Sequence, residues 1–245
     1  MSAITGRLTW WARFFTQVAT YPRDLRLLGA AFTRRKHWQP PAEVWEAVAQ
    51  VDGFLGLSEA GLLYQVARHW PAPGPAIELG SYEGRSTIIL ARAGREVHAV
   101  DAWSEAGFEH NALGANTFPT DETFVRFQDN LRRAGIADQV RVHRGLTTEV
   151  SRGWTKECAI LFVDAGHGYA DVQADLAAWT RHLHPEGLLL MHDTLSDRYK
   201  GVIRAASELL GVGWAVVASA GTVVALARRP YARQVEPGHF GQGHA

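Results

Sequence analysis

The sequence predicts an α/β protein built on a doubly wound, mostly parallel sheet of seven strands with an antiparallel last strand. Three observations carry that expectation. Short apolar runs alternate with amphipathic stretches from residue 76 onward. A glycine turn follows the first apolar run and leads into a helical pattern. Two β-rich runs near the end are separated only by Ser219-Ala-Gly221, which reads as a hairpin turn. At 245 residues the default is one sizeable core.

The elements follow in order. The first 37 residues carry seven Lys/Arg (Arg7, Arg13, Arg23, Arg26, Arg34, Arg35, Lys36) against the single acid Asp24. Leu8, Trp11, Phe15 and Val18 fall at helical spacing, widened by Trp10 and Phe14, so residues 1–57 read as a basic, helical N-terminal extension. Such a helix packs on its own domain or a second subunit, covers an active site, or lies on an anionic membrane surface. Pro40-Pro41 opens a further helix that Glu43–Val51 continue. Ser58 stands where it can cap a helix running to about Trp70. Ala76–Leu79 then reads as strand, Arg85–Ala93 as helix, Glu96–Val100 as strand and Phe124–Ala134 as helix. Val140–His143 and Ala159–Val163 follow as strands, Tyr169–Leu183 as helix, Leu188–Met191 as strand and Tyr199–Leu210 as helix. Trp214–Ala218 and Thr222–Ala227 form the hairpin, and residues 230–245 are a polar tail expected to be flexible. The core domain spans residues 58–229.

Composition excludes several classes. Hydrophobic residues make up 47% and charged residues 20%, an ordinary globular balance, and the formal net charge is zero. Nucleic acid is therefore not an expected partner. Cys158 is the single cysteine, which excludes an intrachain disulfide framework and a cysteine-based zinc site, and a cytoplasmic location is expected. No apolar run approaches the roughly 20 residues of a membrane span. Arg13 and Gln17 interrupt the first apolar stretch, unlike a secretory signal.

In an open α/β sheet ligands bind beyond the carboxyl ends of the strands, so the residues there carry the chemistry. After the first strand stands Ile77-Glu-Leu-Gly-Ser-Tyr-Glu-Gly-Arg-Ser86, with Gly80 and Gly84 letting backbone approach a ligand at a helix start. Its spacing, Gly-x-x-x-Gly with Glu78 ahead, departs from the Gly-x-Gly-x-x-Gly of dinucleotide sites. It suits a cofactor with a cationic centre and no pyrophosphate, S-adenosylmethionine. Asp101 ends the second strand, where a carboxylate can accept from both ribose hydroxyls; Arg144-Gly-Leu-Thr147 after the third is a candidate adenine edge. The fourth strand ends in Asp164-Ala-Gly-His167-Gly-Tyr169 and the fifth in His192-Asp193. Two carboxylates and two imidazoles at adjacent strand ends can hold a divalent cation through Asp164, His192 and Asp193. They leave His167 to take a proton from a hydroxyl.

These motifs, in this order, resemble the class I S-adenosylmethionine-dependent methyltransferases over roughly residues 60–228. The resemblance is to the branch with Asp-Gly-Asp-His-Ser-Tyr-like and His-Asp motifs, similar to metal-dependent O-methyltransferases of antibiotic sugars. It implies a Rossmann-like fold, with Glu78, Gly80, Tyr82 and Ser86 on the methionine side of the cofactor and Asp101 on the ribose. Ser81, Gly84, Ala102, Trp103, Gly145 and Asp164 complete the implied cofactor site. It also implies His167 as catalytic base beside Asp164, and Mg²⁺ or another divalent cation on Asp164 and Asp193. His192 stands where those enzymes carry Glu, which lowers the negative charge of the site.

The expected reaction is methyl transfer to a hydroxyl of a small molecule such as a sugar, an antibiotic or a phenol. The segment Trp103 to Thr120, with Phe108, His110, Asn111, Asn116 and Phe118, is expected to act as the substrate lid. A homo-oligomer is expected, with membrane contact through residues 1–37 as a lesser role. The alternatives are a non-catalytic or membrane-recruited S-adenosylmethionine-binding subunit and a nucleotide-dependent oxidoreductase. A DNA amino-methylating enzyme is disfavoured, since no Asn/Asp-Pro-Pro-Tyr/Phe motif follows the fourth strand.

Overall fold

A computed structural model describes residues 21–104, 120–235 and 240. The aromatic stripe of Leu8 to Val18, the central part of the expected lid and most of the tail lie outside the described residues. The strands are β1 (Ala76–Leu79), β2 (Val97–Asp101), β3 (Val140–Arg144), β4 (Cys158–Val163), β5 (Leu183–Met191), β6 (Trp214–Ala220) and β7 (Val223–Arg228). They form one sheet in the order β3-β2-β1-β4-β5-β7-β6. β1 to β5 pair in parallel, while β7 runs antiparallel to both β5 and β6. The doubly wound sheet with one reversed strand is therefore present.

Both faces are covered because the strands are apolar on both sides, as parallel sheets require. Helices α2 (Ala42–Val48), α3 (Leu57–His69), α4 (Arg85–Arg92) and α5 (Asp121–Arg133) pack on one face, against Ala76, Ile160, Phe162, Leu188 and Leu190. Helices α1 (Pro22–Thr33), α6 (Tyr169–Trp179) and α7 (Lys200–Gly211) cover the other, against Ile77, Leu79, Leu161, Leu189 and Met191. Cys158 is fully buried in this second layer. No described helix is long and apolar enough to cross a membrane.

Three local expectations change. Helix α6 stops at Trp179, because β5 begins at Leu183 and its pairing with Cys158 claims the backbone there. Ser58 does not cap α3; its hydroxyl accepts from the Trp38 amide, and the start of the helix is held by Gly56 N–H donating to Glu59. Pro22–Thr33, given no bounds of its own within the helical N-terminal extension, forms α1 with Leu27, Leu28 and Ala31 buried on α7 and β6. Ser207 Oγ donates to the buried Asp24 (2.7 Å), and Arg35 bridges Ser219 of β6.

The turn after β1 depends on Gly80, which takes φ 86 and lies against the backbone that leaves β4. A Cβ there would stand 2.6 Å from the Asp164 carbonyl carbon. Gly135 is also left-handed (φ 67), with open space around it. Gly80→Ala is therefore expected to lower stability by more than about 2 kcal/mol, and Gly135→Ala by about 1 kcal/mol. Urea unfolding of the two variants checks this; equal losses would mean that the contact with Asp164 does not matter.

Candidate active site

The turn Gly80–Gly84 is held from below by one carboxylate. Asp101 Oδ2 accepts the amides of Ser81 (2.8 Å) and Tyr82 (3.0 Å), and Oδ1 accepts that of Trp103 (2.8 Å). The Trp103 indole N–H donates in turn to the Tyr82 carbonyl (2.8 Å). Tyr82 (φ 48) and Trp103 (φ 42) are thereby kept in the left-handed region that non-glycine residues avoid. Asp101 reaches the cavity, but most of its accepting capacity is used inside the protein. Burial pushes its carboxyl above the usual range although the amides pull it down.

Glu78 is fully buried beneath the same turn, accepting from Ser81 Oγ (2.7 Å) and Thr87 Oγ1, with Oε1 unpartnered. Burial raises its carboxyl from 4.5 to about 7. Four residues expected to contact cofactor stand behind the wall instead. Glu78 supports the turn from inside, Gly84 starts α4 against Phe127, Trp103 is buried beside Phe124 and Phe127, and Gly145 donates to the Asp101 carbonyl. Gly80, Ser81, Tyr82, Ser86, Ala102 and Asp164 do face the cavity.

The cavity encloses about 580 Å³, within the range of small-molecule sites. At its other end β4 and β5, which pair through Val163 and Met191, bring Asp164, His167, His192 and Asp193 together. One ligating atom from each lies within 4.8 Å of the others. His167 Nε2 is 3.1 Å from Asp193 Oδ2 and 3.7 Å from Asp164 Oδ1. His192 Nδ1 is 3.0 Å from Asp164 Oδ1 and 3.3 Å from Asp193 Oδ2. Asp193 holds this position at φ 53. Burial works against charge on both imidazoles, but the carboxylates prevail and raise His167 to about 9 and His192 well above its ordinary value. Asp164 and Asp193 are held below the usual carboxylate range; burial opposes this and the imidazoles prevail.

Neither buried ring nitrogen of His192 has an aligned hydrogen-bond partner, close as the carboxylates are. Nitrogens and oxygens that converge without mutual alignment fit a shared cation, and two carboxylates with imidazole are a donor set that divalent metals accept. Asp164, Asp193 and His192 could hold such an ion.

Sequence reasoning missed three contributors. Glu59, at the start of α3, accepts from Gly56 N (2.6 Å), Thr222 N (2.6 Å) and Thr222 Oγ1 (2.9 Å), and its Oε2 lies 3.8 Å from His192 Nε2. Tyr199 stacks on the His167 ring with centroids 4.2 Å apart. Arg85 donates to the carbonyls of Val51 and Leu55 (3.2 Å to Leu55), drawing residues 51–55 over the glycine turn, where Asp52 accepts from the Tyr82 hydroxyl (3.0 Å). None of the three belongs to a local motif. The only available signal was Glu59 following Gly56 by three residues, a capping spacing.

A nucleoside-sized cavity above a glycine turn, in a seven-stranded sheet whose β7 alone is reversed, defines a class I methyltransferase architecture. A family model described as a methyltransferase domain matches residues 77–194, which include the turn, Asp101 and the whole Asp/His cluster. Residues 77–194 therefore match a methyltransferase domain, and the chain has the fold of the class I S-adenosylmethionine-dependent methyltransferases. Among solved structures, the O-methyltransferase TomG from Streptomyces achromogenes, involved in tomaymycin synthesis, matches 86% of this chain and 92% of its own at 17% identity (TM-score 0.55). The O-methyltransferase NovP matches 70% of this chain and 81% of its own at 17% identity (TM-score 0.58). An uncharacterized protein of Sinorhizobium fredii is 28% identical over 154 residues; the match takes in 59% of this chain and 16% of that protein's length.

Two outcomes follow from this geometry. Glu59→Ala leaves the Gly56 and Thr222 amides without their acceptor and should cost about 2–3 kcal/mol in urea unfolding. A loss under about 0.5 kcal/mol would mean that Glu59 anchors nothing. Glu78 binds its proton more tightly when folded, so its contribution is full below pH 4.5 and is lost as pH rises through about 7. Glu78→Gln should therefore gain stability relative to wild type between pH 5 and pH 8; a pH-independent difference would place the ionisation elsewhere.

Proposed function

We propose that this chain transfers the methyl group of S-adenosylmethionine to a hydroxyl oxygen of a small molecule, with His167 receiving the proton. The observation that carries the reading is the Asp164/His167/His192/Asp193 cluster at the end of the cavity opposite the region around Asp101 and Thr147. Gly80, Ser81, Tyr82 and Ser86 would take the methionine portion, and Asp101 Oδ1 retains capacity for one ribose hydroxyl. The sulfonium then faces the β4 and β5 ends, where the acceptor enters beside His167, Ser196 and Tyr199. An O-methyltransferase such as TomG or NovP has the same fold, which agrees with an oxygen acceptor.

In the reaction an acceptor oxygen lone pair attacks the methyl carbon, and the sulfur–carbon bond breaks with its electron pair passing to sulfur. The hydroxyl proton goes to His167 Nε2. Alignment of oxygen, carbon and sulfur is the protein's main contribution. Tyr199 fixes the plane of the imidazole by stacking. Asp164 and Asp193 keep His167 protonated up to about pH 9 when nothing else balances their charge. Asp164, Asp193 and His192 would hold a divalent cation, whose positive charge would free His167 for base work and would lower the pKa of an acceptor hydroxyl beside it. A single buried thiol fits a reducing, cytoplasmic setting for this chemistry.

His167→Ala should lower turnover on a panel of sugar and phenol acceptors by about 10²-fold or more. S-adenosylhomocysteine binding, measured by calorimetry, should stay within about threefold; near-normal turnover would remove His167 as the base. Protein stripped of metal should lose turnover and regain it with Mg²⁺ or Mn²⁺. Equal rates before and after stripping would exclude the cation.

A further inference from the structure

The carboxyl end of the sheet, where the cavity opens, carries a basic run that the methyl transfer does not use. Arg34, Arg35 and Lys36 follow α1 and are all exposed. Backbone contacts fix their place. Ser219 N donates to the Arg34 carbonyl and Lys36 N to the Ser219 carbonyl (both 3.3 Å), so Arg35 lies along the end of β6 as a parallel bridge. The chain then passes the start of α3, where the Trp38 amide donates to Ser58 Oγ (3.3 Å). Thr222, in the turn that follows β6, lines the cavity. Among the described residues no carboxylate pairs with any of the three cations; Lys36 Nζ stands over the Trp38 ring (5.5 Å).

Large apolar side chains share this end. Phe54 is 65% exposed and lies beside Tyr82 on the cavity wall (ring centroids 6.2 Å apart). Leu57, 42% exposed, opens α3 next to Gly56, whose amide is held by Glu59. The charge around them is one-sided. Asp24 is buried against Ser207, and Asp52 accepts from the Tyr82 hydroxyl. The loop after β5 adds Arg198 and Lys200 against Asp197, all exposed. Residues 1–20, which lead into α1, hold Arg7 and Arg13, no acid, and the aromatic residues Trp10, Trp11, Phe14 and Phe15. Cations interleaved with aromatic and aliphatic groups match the headgroup level of an anionic bilayer, which takes both at once. A nucleic acid would pair with the cations but leave Phe54 and Leu57 in water.

We propose that this end of the molecule docks on an anionic membrane surface, with Arg34, Arg35 and Lys36 against lipid phosphates and Phe54 and Leu57 between the headgroups. Docked in this way, the cavity opens onto the bilayer. The inference concerns the outer surface alone and stands whether or not the cavity transfers methyl groups. No described helix is long and apolar enough to span the bilayer, so the contact is peripheral and its strength comes from charge and shallow apolar burial.

The test is sedimentation of the full chain with vesicles of phosphatidylcholine, alone or with about one-third phosphatidylglycerol. Binding should be at least about tenfold tighter to the anionic vesicles and should fall as salt is raised to about 0.5 M. Arg34→Glu, Arg35→Glu and Lys36→Glu together should weaken it about 30-fold or more while leaving the urea midpoint in place. Leu57→Ser should weaken it about threefold. A second arm reads orientation. Cys158 is buried, so an environment-sensitive fluorophore goes to the new thiol of Leu57→Cys, or of Asp138→Cys at the amino end of β3. Anionic vesicles should shift the emission of the first to the blue and leave the second unchanged. Equal binding to neutral and anionic vesicles, or undiminished binding by the triple variant, overturns the proposal. So does a blue shift at Asp138→Cys, or none at Leu57→Cys. No vesicle binding, with dimers in solution that Leu57→Ser breaks up, would assign the face to a second copy of the chain and overturn it as well.

Discussion

Three backbone amides converging on the buried carboxylate of Asp101 hold the cofactor side of this protein together. Two come from the turn after β1 and one from the chain leaving β2, so a single side chain sets the spacing of two strand ends. Tyr82 and Trp103 sit in a backbone region that costs about 1–3 kcal/mol each. Charge-assisted hydrogen bonds in a dry site are strong enough to offset that cost. Gly80 completes the device, since it alone lets the turn lie against the backbone of Asp164. The wall for the cofactor and the start of the reactive cluster are thus built from one contact.

On the far side the balance is ionic. Two imidazoles stand among Asp164, Asp193 and Glu59, so three carboxylates surround them. Glu59 backs His192 from behind, with its Oε2 3.8 Å from His192 Nε2. That residue also receives both donors of Thr222 in the β6–β7 turn. The reversed strand therefore has a chemical consequence: its turn fixes the carboxylate that backs His192. Isolated charges would not survive here; each is retained because the others are present.

The sheet was legible because β strands buried on both faces are apolar runs and turns have their own residue chemistry. Ala76–Leu79 matches the expectation to the residue, β2 lies one residue later at both ends, and β3 and β4 are each one residue longer at one end. Asp164, His167, His192 and Asp193 were legible too, since parallel neighbours place their carboxyl ends side by side. Glu78 and Trp103 were read as cofactor contacts because sequence distance shows that a residue is near a strand end but not which way it faces. Glu78 alternates with Ile77 and Leu79 and so turns onto the α4 side, under the turn.

By itself the sequence determined the fold, the glycine turn and the four side chains gathered at the ends of β4 and β5, because periodicity and turn chemistry act over a few residues. Tertiary structure alone decided how Asp101 is used, that Glu59 backs His192, that Tyr199 stacks on His167, and that Arg35 bridges Ser219 at the cavity end of the sheet. Those contacts join residues far apart in the chain, such as Glu59 and Thr222, separated by 163 positions. No local pattern encodes such a pair; it exists only once both layers have closed on the sheet.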